Sequence, residues 1–396
     1  MKLFLSILKW LGVTILALFM VFAVILLINT DVSNPADTQT FIENKLEKMG
    51  IVGASVAVIK DGEVTETYQY GYQDLENRIP VNHETVFQIA STSKGVTGTA
   101  IMQLYERGYF DLDDDINNYL PYAVRHPQYP EIPITFRMLL SHTGGLENNW
   151  DLYDSLYTIE SGGGDSPISL DEFTRGFFIP GGKYYDATLN FAESAPGETY
   201  TYSNPGYALL GYLVEEITKQ SFPSYCKENI FEPLDMQNTT WMLANTDSTK
   251  LARLYVGEDE NLVNYAFPTY PDGGLITTPT DYSHLMIALM NGGEYEGNHI
   301  LQPQTIDEML TPCAKENQQA LTWDYGVMEE LYLGNMDNGE ITGHTGGDFG
   351  MFSVALFNPK KNTGVVIFMN EAFPIDLKAL NIYQLLRGMI LRANLL

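Results

Sequence analysis

The tetrapeptide His-Thr-Gly-Gly occurs twice in the chain, at His142–Gly145 and at His344–Gly347, and takes two of only six histidines. Ser-x-x-Lys occurs three times, at Ser6–Lys9, Ser91–Lys94 and Ser224–Lys227, and Tyr-x-Asn once, at Tyr202–Asn204. These residue types suit acyl transfer. A serine hydroxyl attacks a carbonyl only when a base takes its proton, and an i, i+3 spacing sets serine and lysine on one helix face. A lysine in a poorly hydrated cleft near other cations gives up its proton more easily. A tyrosine beside an ammonium group has its phenolic pKa lowered and can shuttle protons. An asparagine two residues on can bond both a lysine and a substrate amide.

Context separates the copies. Ser6 borders a long apolar run, and Ser224 follows Pro223 at a helix start, where a serine reads as a cap. Ser91 lies in "FQIASTSKGVTGTAIMQLYERG", a helix whose first turn is packed with small residues and offers backbone N–H groups for a developing oxyanion. Taken alone, Ser91–Lys94 reads more simply as a polar helix start with a solvated lysine. The first His-Thr-Gly-Gly follows a short helix capped by Thr135, so its glycines read as a helix stop and His142 as a hydrogen-bonded loop residue. The second runs into a strand, where glycines let a substrate backbone approach. A metal site built from both copies lacks a third ligand at readable spacing.

The positioning elements follow from patterning. Trp10–Ile28 is 19 residues without a charge, enough for a transmembrane helix. Lys2 and Lys9 before it, and Asp31 and Asp37 after it, put residues 1–9 in the cytoplasm and the remainder outside. Residues 29–40 read as a tether, and 41–396 as one domain. Phe41–Gly50 has helix spacing, and two alternating runs around Asp61-Gly62 predict a β-hairpin. "GMFSVALFNPKKNTGVVIFMN" predicts a second hairpin, followed by an amphipathic C-terminal helix. Strands from both ends are expected in one antiparallel sheet covered by terminal helices, an α+β fold. The middle, roughly Val86 to Leu254, then forms an inserted, mainly helical lobe, with a ligand cleft between the lobes. Glu147–Ala195, rich in aromatics, is expected to overhang that cleft. Fifty acidic against 22 basic residues give a formal charge of −28, which argues against nucleic acid and anionic lipid as partners. Cys226 and Cys313 lack zinc spacing and read as two solitary buried thiols rather than a disulfide.

Ser-x-x-Lys, Tyr-x-Asn and (Lys/His)-Thr-Gly in this order resemble the serine β-lactamase and penicillin-binding-protein superfamily, in its class C β-lactamase, DD-peptidase and esterase branch. The similarity runs over Phe41–Leu396 and includes "LLSHTGGL", "PGETYTYSNPGYALLGYLVEE", "IFEPLDMQNTTW", "GGLITTPTDYSHLM" and "GHTGGDFGMFSVALFNP". It implies a β-lactamase/transpeptidase-like fold, Ser91 as nucleophile, and Lys94 with Tyr202 as shared general base. Tyr202 would also protonate the leaving group. It further implies that Asn204, His344, Thr345, Gly346 and Gly347 bind substrate, that the N–H groups of Ser91 and Gly347 form an oxyanion hole, and that no cofactor or metal takes part. His344 stands where class C β-lactamases have lysine, a departure that lowers β-lactamase proper and favours a D-amino-acid peptidase or esterase. The expected substrate is thus a small peptide, ester or β-lactam, cleaved by a membrane-anchored, extracytoplasmic enzyme. A non-turnover penicillin-binding or sensor module of the same fold is the alternative. An α/β-hydrolase is disfavoured, because the chain has no Gly-x-Ser-x-Gly elbow.

Overall fold

The computed structural model describes residues 37–257, 260–313, 319–331, 333–336, 339–372 and 379–396. The expected span Trp10–Ile28 lies outside them, and among the described residues no helix is long and apolar enough to cross a membrane.

Helix α1 (Thr38–Met49) starts at Asp37, whose carboxylate accepts the Thr40 N–H at 3.0 Å, and stops at Gly50 in the left-handed conformation. Strands β1 (Gly53–Lys60) and β2 (Glu63–Asp74) follow. Asp61 and Gly62 between them both have positive φ, the two-residue turn that matches the twist of the flanking strands. After β3 (Ile79–Pro80) the chain leaves the sheet and forms, among other elements, helices α2 (Lys94–Glu106), α3 (Phe136–Leu140), α4 (Asn204–Thr218) and α5 (Pro279–Met290). It returns as β4 (Thr342–Asp348), β5 (Met351–Asn358) and β6 (Thr363–Met369), and closes with α6 (Ala379–Arg392).

The six strands form one antiparallel sheet in the order β4-β5-β6-β1-β2-β3. Strands from the two ends of the domain meet at its centre, where Val56 lies opposite both Ile367 and Tyr68. Side chains alternate between two cores, as the period of a strand demands. Val56, Val354 and Ile367 face α1 and α6, against Phe41, Leu46, Leu385 and Met389. Ala57, Ala355 and Phe368 face the other way, into the core shared with α2, α4 and α5. Burial on both faces is why these strands read as near-continuous apolar runs.

Three expectations need correction. The helical lobe does not end near Leu254: α5 packs between the sheet and the lobe, and a helix over Pro303–Leu310 joins the same core. Helix α5 is buried on nearly all sides, so it shows no amphipathic stripe to be read. The cap of the helix over Phe222–Cys226 is Ser221, whose hydroxyl oxygen accepts the Ser224 N–H, and Ser224 itself is exposed. Cys226 and Cys313 are not joined in a disulfide, and only Cys226 is buried.

Helix α2, which carries the Ser91–Lys94 pair, is seated by close contact. A Cβ at Gly98 would lie 1.9 Å from Thr322 Oγ1 and 2.7 Å from Thr322 Cβ. Thr322 cannot yield easily: it is fully buried, has φ 79°, and accepts the Tyr207 hydroxyl proton at 3.1 Å. Alanine gains about 1 kcal/mol of helix propensity over glycine, whereas overpacking costs about 1–3 kcal/mol. Overpacking wins, so Gly98→Ala is expected to lower the urea midpoint at unchanged m-value. A higher midpoint would show that Thr322 moves aside freely.

Candidate active site

The turn that presents Ser91 is a short 3-10 segment, Ala90–Ser93, running directly into α2. Ser91 therefore precedes the helix proper, and the tighter 3-10 winding nearly eclipses its side chain with that of Lys94. Ala90 sits at φ 45°, unusual for a residue with a Cβ, and turns the chain sharply before the serine. Neighbours pin the turn on each side. Ser353 Oγ donates to the Ile89 carbonyl at 2.6 Å, the Tyr282 hydroxyl to the Thr92 carbonyl at 2.6 Å, and the Leu275 N–H to Ser93 Oγ at 3.0 Å.

Lys94 is fully buried. Its Nζ donates to Ser91 Oγ at 3.2 Å, to Asn204 Oδ1 at 2.8 Å and to the Asp272 carbonyl at 2.7 Å. Burial pulls its pKa down to about 8, against the opposing field of Asp272 and Asp348. No cation contributes to the depression, contrary to the expectation; loss of water does it.

Tyr202 and Asn204 come from the entry to α4. The helix begins at Asn204, one residue before Pro205, and is capped by Ser203, whose Oγ accepts the Gly206 N–H at 3.1 Å. Tyr202 lines the same cavity as Ser91, and its ring lies 4.9 Å from Lys94 Nζ. Its expected pKa shift is reversed: burial pushes the phenol well above 10, more than Ser91 offsets. The phenol is thus a proton donor at rest, and becomes a base only after passing its proton on.

Strand β4 brings the second tetrapeptide along the nucleophile turn. A Cβ at Gly346 would fall 2.6 Å from the Ile89 carbonyl and 2.9 Å from the Ser91 nitrogen, so only glycine permits this approach. Gly347 is exposed next to it, and both line the same cavity as Ser91, Tyr202, Asn204, His344 and Thr345, about 580 Å³ in volume. His344 Nδ1 contacts the Thr345 carbonyl. Burial first, then Lys94, lowers its pKa to about 3, so it is neutral at physiological pH.

Seven of the eight expected site residues line one cavity, with others beside them, and Lys94 lies buried behind its wall, bonded to Ser91 and Asn204. Trp150, Tyr153 and Tyr157 form part of its wall, as expected for the segment Glu147–Ala195. His142 also lines it, so both tetrapeptides reach the site. His142 takes the left-handed conformation directly after α3, with φ 56°, and Gly145 takes it again at φ 68°. Its ring stacks 4.5 Å from that of Tyr202, its Nδ1 accepts the Ser203 N–H at 3.1 Å, and its carbonyl accepts the Thr201 N–H at 2.7 Å. Asn148 was not foreseen. Its Nδ2 donates to the Tyr202 carbonyl at 2.7 Å and its Oδ1 accepts the Asn204 N–H at 2.9 Å, clamping the Tyr-x-Asn backbone. No spacing rule marks it; only its place just after the first tetrapeptide does. Among the described residues no group of three His, Cys, Asp or Glu side chains is set to hold a metal.

The beta-lactamase family profile matches residues 38–388. Protein flp of Staphylococcus aureus (strain MRSA252) is 27% identical over 337 residues, covering 84% of this chain and 62% of that protein, so the chain spans under two thirds of this relative. Among solved structures, EstCE1, a hydrolase with promiscuous acyltransferase activity, aligns at TM-score 0.68 and 22% identity over 89% of this chain and 98% of that one. A D-amino acid amidase from Ochrobactrum anthropi SV3 aligns at TM-score 0.67 and 21% identity over 90% and 99%. These two likenesses establish the fold.

Two outcomes are expected on an activated ester. The kcat/KM should rise with pH through an apparent pKa near 8, as Lys94 loses its proton, and a flat profile would remove Lys94 as the base. His142→Ala should lower kcat/KM about tenfold in the parent but have little effect in Tyr202→Phe, because it acts by holding that ring. Equal losses in both backgrounds would reduce His142 to a general structural role.

Proposed function

We infer that this chain, which belongs to the beta-lactamase family, cleaves an amide or ester through an acyl-Ser91 intermediate. The observation that carries the reading is the contact of Ser91 Oγ with Lys94 Nζ at 3.2 Å in a cavity that Tyr202 also lines, its ring 4.9 Å from that amine. Neutral Lys94 takes the hydroxyl proton as Oγ bonds to the carbonyl carbon. The N–H groups of Ser91 and Gly347 receive the resulting oxyanion. Tyr202 protonates the leaving amine or alcohol as its bond to carbon breaks, and the Lys94 ammonium restores the proton to the phenol. Water then attacks the ester by the reverse sequence. Asn204 orients Lys94 and, with β4, the substrate amide.

Peptidase or esterase action is favoured over β-lactam hydrolysis because His344, neutral and buried, supplies no fixed charge for a substrate carboxylate. The fold shared with a D-amino acid amidase and with EstCE1 fits that preference. The charge-free run Trp10–Ile28 supports a single membrane anchor with the catalytic domain on the extracytoplasmic side.

A fluorescent phosphonate should label the parent protein once, at Ser91, and Ser91→Ala not at all. Equal labelling of both would end this assignment. Tyr202→Phe should keep labelling but lose about 10²–10⁴-fold in turnover on amides.

A further inference from the structure

Within β5, the run Met351–Phe357 carries a single hydroxyl among apolar side chains, that of Ser353. Ser353 is fully buried and is not among the residues that line the cavity. A hydroxyl is destabilising in such a place unless it is bonded. Its Oγ donates to the Ile89 carbonyl at 2.6 Å. That carbonyl stands one residue before Ala90, whose φ of 45° turns the chain, and two before the Ser91 N–H. The Ile89 N–H is taken by the Leu275 carbonyl at 3.1 Å. The last residue before the nucleophile turn is thus held from two directions, and Ser353 supplies the sheet's part.

Register gives that bond a further meaning. Ser353 lies opposite Gly346 of β4. A Cβ at Gly346 would come within 2.4 Å of Ser353 Oγ, 2.6 Å of the Ile89 carbonyl and 2.9 Å of the Ser91 nitrogen. The hydroxyl therefore occupies the space that glycine leaves, between β4 and the turn. Gly347, next on β4, pairs with Phe352, the neighbour of Ser353. Of the two N–H groups that receive the oxyanion, one belongs to the turn and the other to the sheet, and Ser353 bridges the two. Thr92 Oγ1 donates to the same carbonyl at 2.7 Å, but Thr92 is part of the turn and stiffens it from within.

We propose that Ser353 is a positioning residue of the oxyanion hole: its hydroxyl sets the spacing between the Ser91 and Gly347 N–H groups without touching substrate. This rests on the acyl-Ser91 reading. Two donors stabilise an oxyanion well only when both reach it, and a misplacement of about 1 Å costs up to about 10²-fold in rate. A carbonyl sulfur, larger and a weaker acceptor, gains less from a hole spaced for oxygen.

The test compares p-nitrophenyl acetate with its thionoester, which differ in one atom, and separates the rate constant of phosphonate labelling from its final extent. In Ser353→Ala the preference of kcat/KM for oxygen over sulfur should fall about tenfold, and so should the labelling rate constant, because the phosphonate oxygen enters the same hole. Thr92→Val removes a hydroxyl from the same carbonyl without releasing the turn from the sheet, and should change both readouts far less. A packing role for Ser353 predicts a smaller labelled fraction, with the labelling rate constant and the oxygen-to-sulfur preference unchanged. That result would overturn the proposal, as would equal losses in Thr92→Val. Both readouts report only on protein that has folded, so lowered stability does not imitate them. If Ser353→Ala does not fold, Ser353→Cys, close in shape but a weak donor, is held to the same two criteria. A parent protein that neither labels nor turns over would remove the acyl-Ser91 reading and this assignment with it. Labelling of Ser353→Ala at the parent rate, with none in Ser91→Ala, would remove this assignment alone.

Discussion

Lys94 is held without water, and the site is arranged around that fact. An ammonium group surrendered by solvent must be given back its hydrogen bonds, and each replacement comes from a different part of the chain: Ser91, Asn204 and Asp272. The same three bonds that compensate burial also fix distances between the nucleophile turn, the entry of α4 and the segment before α5. Desolvation then does chemical service by lowering the pKa of the amine to about 8, although two aspartates push the other way. Opening the site to water would loosen the geometry and restore the proton together.

Much of this was legible in the residues. The Asp61-Gly62 turn, alternating strands at both ends and the Thr135 cap rest on local chemistry, and local chemistry is what a sequence displays. The order Ser91, Tyr202, His344 identified the family and so the partners, which lie too far apart in the chain for any spacing rule to join. What escaped notice was set by tertiary environment. Helix α5 has no polar face because it is enclosed on all sides. The direction of the Tyr202 shift was misjudged because proximity to a cation was weighed and burial was not. Asn148 acts through its own side chain on two backbone groups of another segment, a contact that exists only after folding.

The repeated tetrapeptide shows how one string serves two ends. In its first copy a helix terminus places the histidine itself in the left-handed conformation, and the ring becomes a support for Tyr202. In its second copy the backbone matters most: Gly346 admits β4 to the nucleophile turn, and Gly347 adjoins it at the cavity. Both histidines end within ring-contact range of the same phenol, at centroid distances of 4.5 Å and 6.3 Å. Identity of sequence thus reflects a shared destination rather than a duplicated element.

The central seam of the sheet, where Val56 meets Ile367, bears on how the molecule is made. During synthesis β1 emerges before its inner neighbour β6, so the hairpin of β1 and β2 must wait with an apolar edge uncovered while the helical lobe is produced. Closure of that seam waits until the lobe has been made, and so does a complete site, since β4 follows the lobe as well. Until the helical lobe has been made, a nascent chain is without the strand that faces Ser91, and the site is incomplete.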